Sequence, residues 1–139
     1  MTHLPSYVVN ADTIKNKGVD SIVCMSVNDA FVMGAWGKAQ NADEIIMLAD
    51  GNGELTAALG LELDGSGFGL GIRSQRFAII VEDGKVTHLN IEEGPGVDVS
   101  SAETMMSLLE KRLAITRHAA VRRTIRHSDA PRAIRSQTR

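Results

Sequence analysis

Apolar positions in the first hundred residues follow two rhythms, and each change of rhythm marks an element. Leu4, Tyr7, Val8, Ala11 and Ile14 recur close to i, i+3, i+4, i+7, which predicts a helix from His3 to Lys17 with Pro5 in its first turn and Gly18 as its stop. Ser21 to Val27 is a short apolar, β-branched run between Gly18 and Asn28-Asp29, the pattern of a buried strand. Helical spacing returns from Ala30 to Gln40, with Asn28 or Asp29 as N-cap and Ala30, Phe31, Met33, Ala35 and Trp36 forming an inward face. Ile45 to Ala49 reads as a second strand, closed by the turn Asp50-Gly51-Asn52-Gly53. A helical turn from Leu55 to Leu59 and a glycine-rich loop from Gly60 to Gly71 complete this half.

The second half opens on a hairpin. Gln75 to Val81 and Lys85 to Ile91 flank Asp83-Gly84, a strong two-residue turn signal. Ser100 with Glu103 fits a capping box, and Met105, Met106, Leu108, Leu109 and Leu113 give the following helix a buried stripe. The order helix, strand, helix, strand, loop, hairpin, helix indicates an α/β layer with a mixed sheet. Beyond Leu113 the apolar pattern weakens; the helix runs on toward His127, and Asp129-Ala130-Pro131 ends it ahead of a disordered terminus.

Charge sharpens this division. The net charge of −2 conceals 6 basic against 16 acidic residues up to Glu110, and 9 against 1 from Lys111 onward. The expected organisation is therefore a folded acidic body over residues 1–113 and a basic, partly disordered tail over 114–139. That tail has no aromatic residue to stack on bases, so it reads as a solvated extension with at most non-specific affinity for anions. No apolar run reaches the ~18 residues of a membrane helix, and MTHLPSYVVN lacks the pattern of a secretory signal. A cytoplasmic protein without a membrane anchor is the expectation.

Chemistry-bearing residues are few. The run from Gly65 to Gly71 leads into a strand, not a helix, which argues against a dinucleotide-binding loop. Asp50 to Glu54 resembles the opening of a calcium loop, but Leu55 and Leu61 stand where glycine and glutamate are required. His3, His88, His118 and His127 share no ligand spacing with one another or with Cys24, so neither metal nor cofactor is expected. Cys24 is the only cysteine; its place between Val23 and Met25 in an apolar strand favours a small packing residue over a nucleophile. Arg73 and Arg76 stand out in the acidic body, either as a solvated pair at a strand entrance or as guanidinium donors to a polar site.

Several long segments carry a family resemblance: HLPSYV, GVDSIVCMSVNDAFVMGAWGKAQ, MLADGNGELTAALGLELD, GSGFGLGIRSQRFAIIVEDGKVTHLNIEE and VSSAETMM. Over about residues 2–110 the chain resembles the atypical peroxiredoxins of the redoxin type, the branch of peroxiredoxin 5-like and glutaredoxin-linked enzymes. The resemblance implies a thioredoxin-like fold and the reduction of hydrogen peroxide and organic hydroperoxides, with glutathione/glutaredoxin or thioredoxin as reductant and a homodimer as the possible assembly. It matches the family's active-site arginine, which positions peroxide and stabilises the thiolate, to Arg76.

The same resemblance implies an incomplete site. In the family, the segment matching Thr2-His3-Leu4-Pro5 directly follows a Pro-x-x-x-Thr-x-x-Cys loop, so the peroxidatic cysteine is absent from this chain. Cys24 matches a strand cysteine that is not peroxidatic. The strand leading into the catalytic loop lies, in that fold, between the equivalents of Ser21–Val27 and Gln75–Val81, so N-terminal strands including a central one are expected to be missing. A late start and an arginine-rich end would fit a truncated or misannotated reading frame. Expected functions are a thiol peroxidase by family, inactive in this form, or a non-catalytic remnant acting through protein association or anion binding by its tail.

Overall fold

The computed structural model describes residues 3–128, with side chains described as far as Thr116. Two short helices replace the single one predicted at the start: α1, His3–Val9, and α2, Ala11–Lys15. The break falls at Asn10, whose Nδ2 donates to the Ser6 carbonyl at 2.8 Å in competition with the helical ladder. Leu4, Ala11 and Ile14 are buried as their spacing predicts, and Gly18 ends the segment at φ +87°, where glycine avoids the Cβ clash.

Strand β1, Ile22–Ser26, pairs parallel with β2, Ile45–Ala49, from Ile22↔Ile45 to Ser26↔Ala49. Helix α3, Ala30–Ala39, connects them, capped by the Asp29 carboxylate, which accepts the Val32 N–H at 2.8 Å. The expected inward face is only partly realised. Met33 is 1% exposed and Trp36 packs against the core, but Phe31 is 90% exposed and Ala30 and Ala35 also face solvent. Helix α3 meets β2 at Gly37, where an added Cβ would lie 2.8 Å from Met47 Cγ; this close approach turns the Met33–Gly37 stripe inward, leaving Phe31 outside it. Nor is β1 a fully buried strand, since Val23 on β1 and Ile46 on β2 are each about half exposed.

Helix α4, Glu54–Ala58, follows the predicted turn. The glycine-rich segment is more ordered than a plain loop: β3, Glu62–Asp64, pairs antiparallel with β4, Ile72–Ser74, around a 3-10 turn at Ser66–Phe68. Three-residue strands leave too little periodicity for a sequence pattern to reveal. The hairpin β5, Phe77–Glu82, and β6, Lys85–Ile91, forms as predicted; Asp83 and Gly84 both take positive φ, as a type I′ turn requires.

Helix α5 spans Ala102–Ser128, crossing residue 113 without interruption. Its N-cap is Ser101 and not Ser100: Ser101 Oγ accepts the Thr104 N–H at 3.2 Å, whereas Ser100 Oγ is drawn away to Glu92. Ala102, Met105 and Leu109 are buried, Arg112 pairs with Glu82 at 2.7 Å, and Ala114 to Thr116 are exposed. The expected disordered terminus, 129–139, and the side chains of the tail arginines lie outside the described residues.

Among the described residues the six strands form three two-stranded sheets, β1–β2, β3–β4 and β5–β6. Ile22 of β1, Ile45 of β2 and Ile80 of β5 nevertheless share one core with Leu4, Ala11, Ile14, Ala102, Met105 and Leu109. Thus β1 and β5 face the same apolar interior without hydrogen-bonding to each other, and each is paired along one edge only. That is the arrangement expected of a thioredoxin-like layer lacking a strand between them.

Candidate active site

Arg76 immediately precedes β5, and its backbone carbonyl accepts the Glu92 N–H at 2.9 Å, extending the hairpin ladder by one step. The loop after β6 folds back over this junction. There, Arg76 Nη1 donates to the carbonyls of Pro95 at 2.6 Å and Gly96 at 2.8 Å. The guanidinium is thereby fixed at the sheet end by two backbone acceptors.

Glu92 closes the same loop from its other end. One carboxylate oxygen accepts from the Asp98 N–H at 2.7 Å, the Ser100 N–H at 2.8 Å and the Ser100 hydroxyl at 2.7 Å. The Ser100 hydroxyl first, with the two backbone donors, pulls the carboxyl down to about 2. Ser100 is fully buried, and its carbonyl accepts from the Tyr7 hydroxyl at 2.8 Å and pairs with His3 Nε2 at 3.0 Å. The two rings meet edge to face with centroids 5.6 Å apart. Burial lowers the His3 pKa, partly offset by the Ser100 carbonyl and reinforced by the Arg76 charge; because a carbonyl only accepts, Nε2–H is the donor in this contact.

The other residues singled out in the sequence lie apart from this cluster. Cys24 sits half-buried in β1 opposite Met47, and burial pushes its thiol up to about 11. Arg73 does not form a pair with Arg76; it lies in β4 and donates to Asn28 Oδ1 at 3.3 Å. The Asp50 carboxylate is occupied in capping α4, accepting from Leu55 N–H, Thr56 N–H and Thr56 Oγ1, so the calcium-like turn is a helix cap. His88 lies on β6, and the side chains of His118 and His127 are outside the described residues. Among the described residues, no three His, Cys, Asp or Glu side chains converge on a metal position.

Glu92, Ser100, His3 and Tyr7 were not foreseen as a site. His3 and Tyr7 lie 97 and 93 positions from Ser100, and only Gly94-Pro95-Gly96 hints that the chain doubles back between Glu92 and Ser100. Carboxylates in this cluster and elsewhere in the fold give the chain a testable pH signature. Glu92, Asp50 and Asp64 are all held below their ordinary values, chiefly by side-chain hydrogen bonds from Ser100, Thr56 and Ser66 respectively. A lowered folded-state pKa means that the unfolded chain binds protons first, so the stability is present above about pH 4.5 and lost toward pH 2. His3, also lowered, adds a loss beginning near pH 6.5. Melts at pH 7, 5.5, 4 and 3 are expected to show a slight fall in Tm followed by a steep one; an unchanged Tm down to pH 3 would contradict these hydrogen bonds.

Residues 1–106 match the Redoxin family. Peroxiredoxin-2D of Arabidopsis thaliana is 50% identical over 110 residues, covering 78% of this chain and 68% of that protein. The crystal structure of reduced Prx3 from Vibrio vulnificus superposes with a TM-score of 0.76 at 60% identity, covering 78% of this chain and 70% of the other. Peroxiredoxin 5 from Alvinella pompejana gives a TM-score of 0.71 at 36% identity over 79% of this chain and 69% of its own. With its α/β layer and shared core, the chain belongs to the redoxin family, on its peroxiredoxin branch, and has the thioredoxin-like fold.

Proposed function

We propose that residues 1–113 are the scaffold and arginine arm of a peroxiredoxin-type thiol peroxidase, with Arg76 as the peroxide-positioning residue and 114–139 as a basic extension. In that reaction a cysteine thiolate attacks the terminal oxygen of a hydroperoxide; the S–O bond forms as the O–O bond breaks. Sulfur is oxidised to sulfenic acid, and the departing alkoxide or hydroxide takes a proton to leave as alcohol or water. Glutathione with glutaredoxin, or thioredoxin, reduces the sulfenic acid in the cytoplasm. The guanidinium supplies fixed donors to the peroxide oxygens and positive charge to the thiolate.

The observation carrying this reading is the anchored guanidinium. Nη1 is held by two carbonyls, which leaves Nε and Nη2 as donors to a bound oxygen. Cys24 is not the thiolate in this scheme. Its thiol is half-buried, raised to about 11 and paired in a strand, so the chain by itself turns over no peroxide.

Peroxide consumption by this chain with glutathione and glutaredoxin, or with thioredoxin, is expected at background rate; rapid turnover abolished by Cys24→Ser would overturn the assignment of Cys24. A hybrid carrying the strand and Pro-x-x-x-Thr-x-x-Cys loop of a full-length relative ahead of Thr2 is expected to gain activity. Arg76→Ala in that hybrid should lower kcat/KM by about 10²- to 10³-fold, the scale of losing one preorganised donor. A hybrid indifferent to Arg76 would remove the arginine from the site. A second reading, association without catalysis, is favoured by the single-sided pairing of β1 and β5.

A further inference from the structure

Resting on the reading of Arg76 as the site's arginine, we infer that Glu92 is its positioning residue: the Glu92 carboxylate shapes the 93–99 loop so that the Pro95 and Gly96 carbonyls meet the guanidinium. Glu93 to Gly96 are exposed, and Gly94 and Gly96 contribute no side chain, so packing does little to hold this turn in one conformation. Hydrogen bonds define it instead. The Glu92 N–H anchors the near end to the Arg76 carbonyl, while the Glu92 carboxylate binds the far end at Asp98 and Ser100. Between these two points the chain must bow outward, and the carbonyls at the top of the bow are the two that Nη1 reaches.

This role differs from capping α5. The helix is capped by Ser101, and its lead-in is tied separately by Thr104 Oγ1 to the Asp98 carbonyl at 3.0 Å and by Asn90 Nδ2 to the Val99 carbonyl at 2.8 Å. Glu92 therefore has no helix N-terminus of its own to satisfy. Its three acceptor contacts all fall on the segment that closes the loop over Arg76. Ser100, through its carbonyl, also joins this loop to His3 and Tyr7 on α1, so the arginine's support extends to the first turn of the fold.

The test reads the arginine and not catalysis. In ¹⁵N-detected spectra of the full chain, a guanidinium held by two carbonyls rotates slowly about its Nε–Cζ bond and shows separate Nη signals; Arg76→Lys identifies them by their loss. Glu92→Gln, which keeps the shape but weakens the acceptor, is expected to speed that rotation at least tenfold and to raise amide hydrogen exchange at Asp98 and Ser100. Ser100→Ala, which removes one of the three donors, should produce a smaller change in the same direction and stands in if Glu92→Gln does not fold. Unchanged Arg76 rotation in a folded variant overturns the inference. A lowered melting temperature with unchanged rotation overturns it too, because Glu92 would then be structural only. The hybrid's peroxidase activity judges the catalytic reading of Arg76 independently, so either conclusion can fail without the other.

Discussion

Met33→Ala is expected to destabilise the fold by about 2–5 kcal/mol, the range for truncating a fully buried methionine. Met33 is 1% exposed and lies where α3 rests on the β1–β2 pair, with its sulfur 3.0 Å from the Ser26 hydroxyl. Removing it empties the space beneath α3 next to the tight Gly37–Met47 contact, which cannot close further because Met47 Cγ already abuts the Gly37 backbone. The melting temperature should fall by roughly 10 °C, since each kcal/mol shifts a domain of this size by about 3–5 °C. Phe31→Ala, two residues earlier, should change stability by about 0.5 kcal/mol or less because the ring is 90% exposed. Thermal melts of the two variants side by side give a direct measure of which face of α3 is inside. Equal losses, or a greater loss at Phe31, would mean that the helix is rotated relative to the described packing.

The second large effect concerns Cys24. With the thiol raised to about 11 by burial, against an ordinary value of 9.0, the thiolate population at pH 8 is expected to be about a hundredfold smaller than in the unfolded chain. Its reaction with a disulfide reagent in the native protein should therefore be at least about a hundredfold slower than in urea, and should rise roughly tenfold per pH unit until pH 11. Stability follows with a definite sign: the folded thiol holds its proton longer, so its contribution is complete below pH 9 and lost as the pH rises through 11. Timed labelling of native and denatured protein checks both statements. Equal rates would place Cys24 in an activated surrounding that the β1–β2 packing does not provide.

The contrast between Met33 and Phe31 also shows how far the pattern of the chain reaches. Helical spacing located α3, and Asn28 or Asp29 was recognisable as its cap because a short polar side chain before an apolar run satisfies the first N–H groups; the structure selects Asp29. Which of two apolar side chains two residues apart faces inward depends on what α3 rests against. Only the Gly37–Met47 approach decides it. The helix break at Asn10 and the β3–β4 hairpin escaped for related reasons: a side-chain amide competing for one carbonyl, and strands of three residues, leave no periodic trace.

The candidate site divides along the same line. Arg76 was visible as one of two arginines in an acidic body and through its match to the family, but its pairing with Arg73 in that reading dissolved once the two proved to serve different contacts. Ser100 read as a helix cap because Glu103 follows three residues later, yet its hydroxyl donates to Glu92, eight residues earlier and just past β6, and Ser101 Oγ accepts the helix N–H instead.

What the sequence by itself determined is local or compositional: the positions of β1, α3, β2 and the helix after residue 101, the Asp83-Gly84 hairpin, the charge division near residue 111, and a lone cysteine in an apolar strand. These depend on backbone preferences and side-chain spacing within a few residues. The tertiary structure alone decided that His3, Tyr7, Glu92 and Ser100 meet, that a loop carries two carbonyls onto Arg76, and that β1 and β5 share a core without sharing hydrogen bonds. Such contacts join residues up to 97 positions apart, and their geometry is set by how the layers pack, which no local preference encodes.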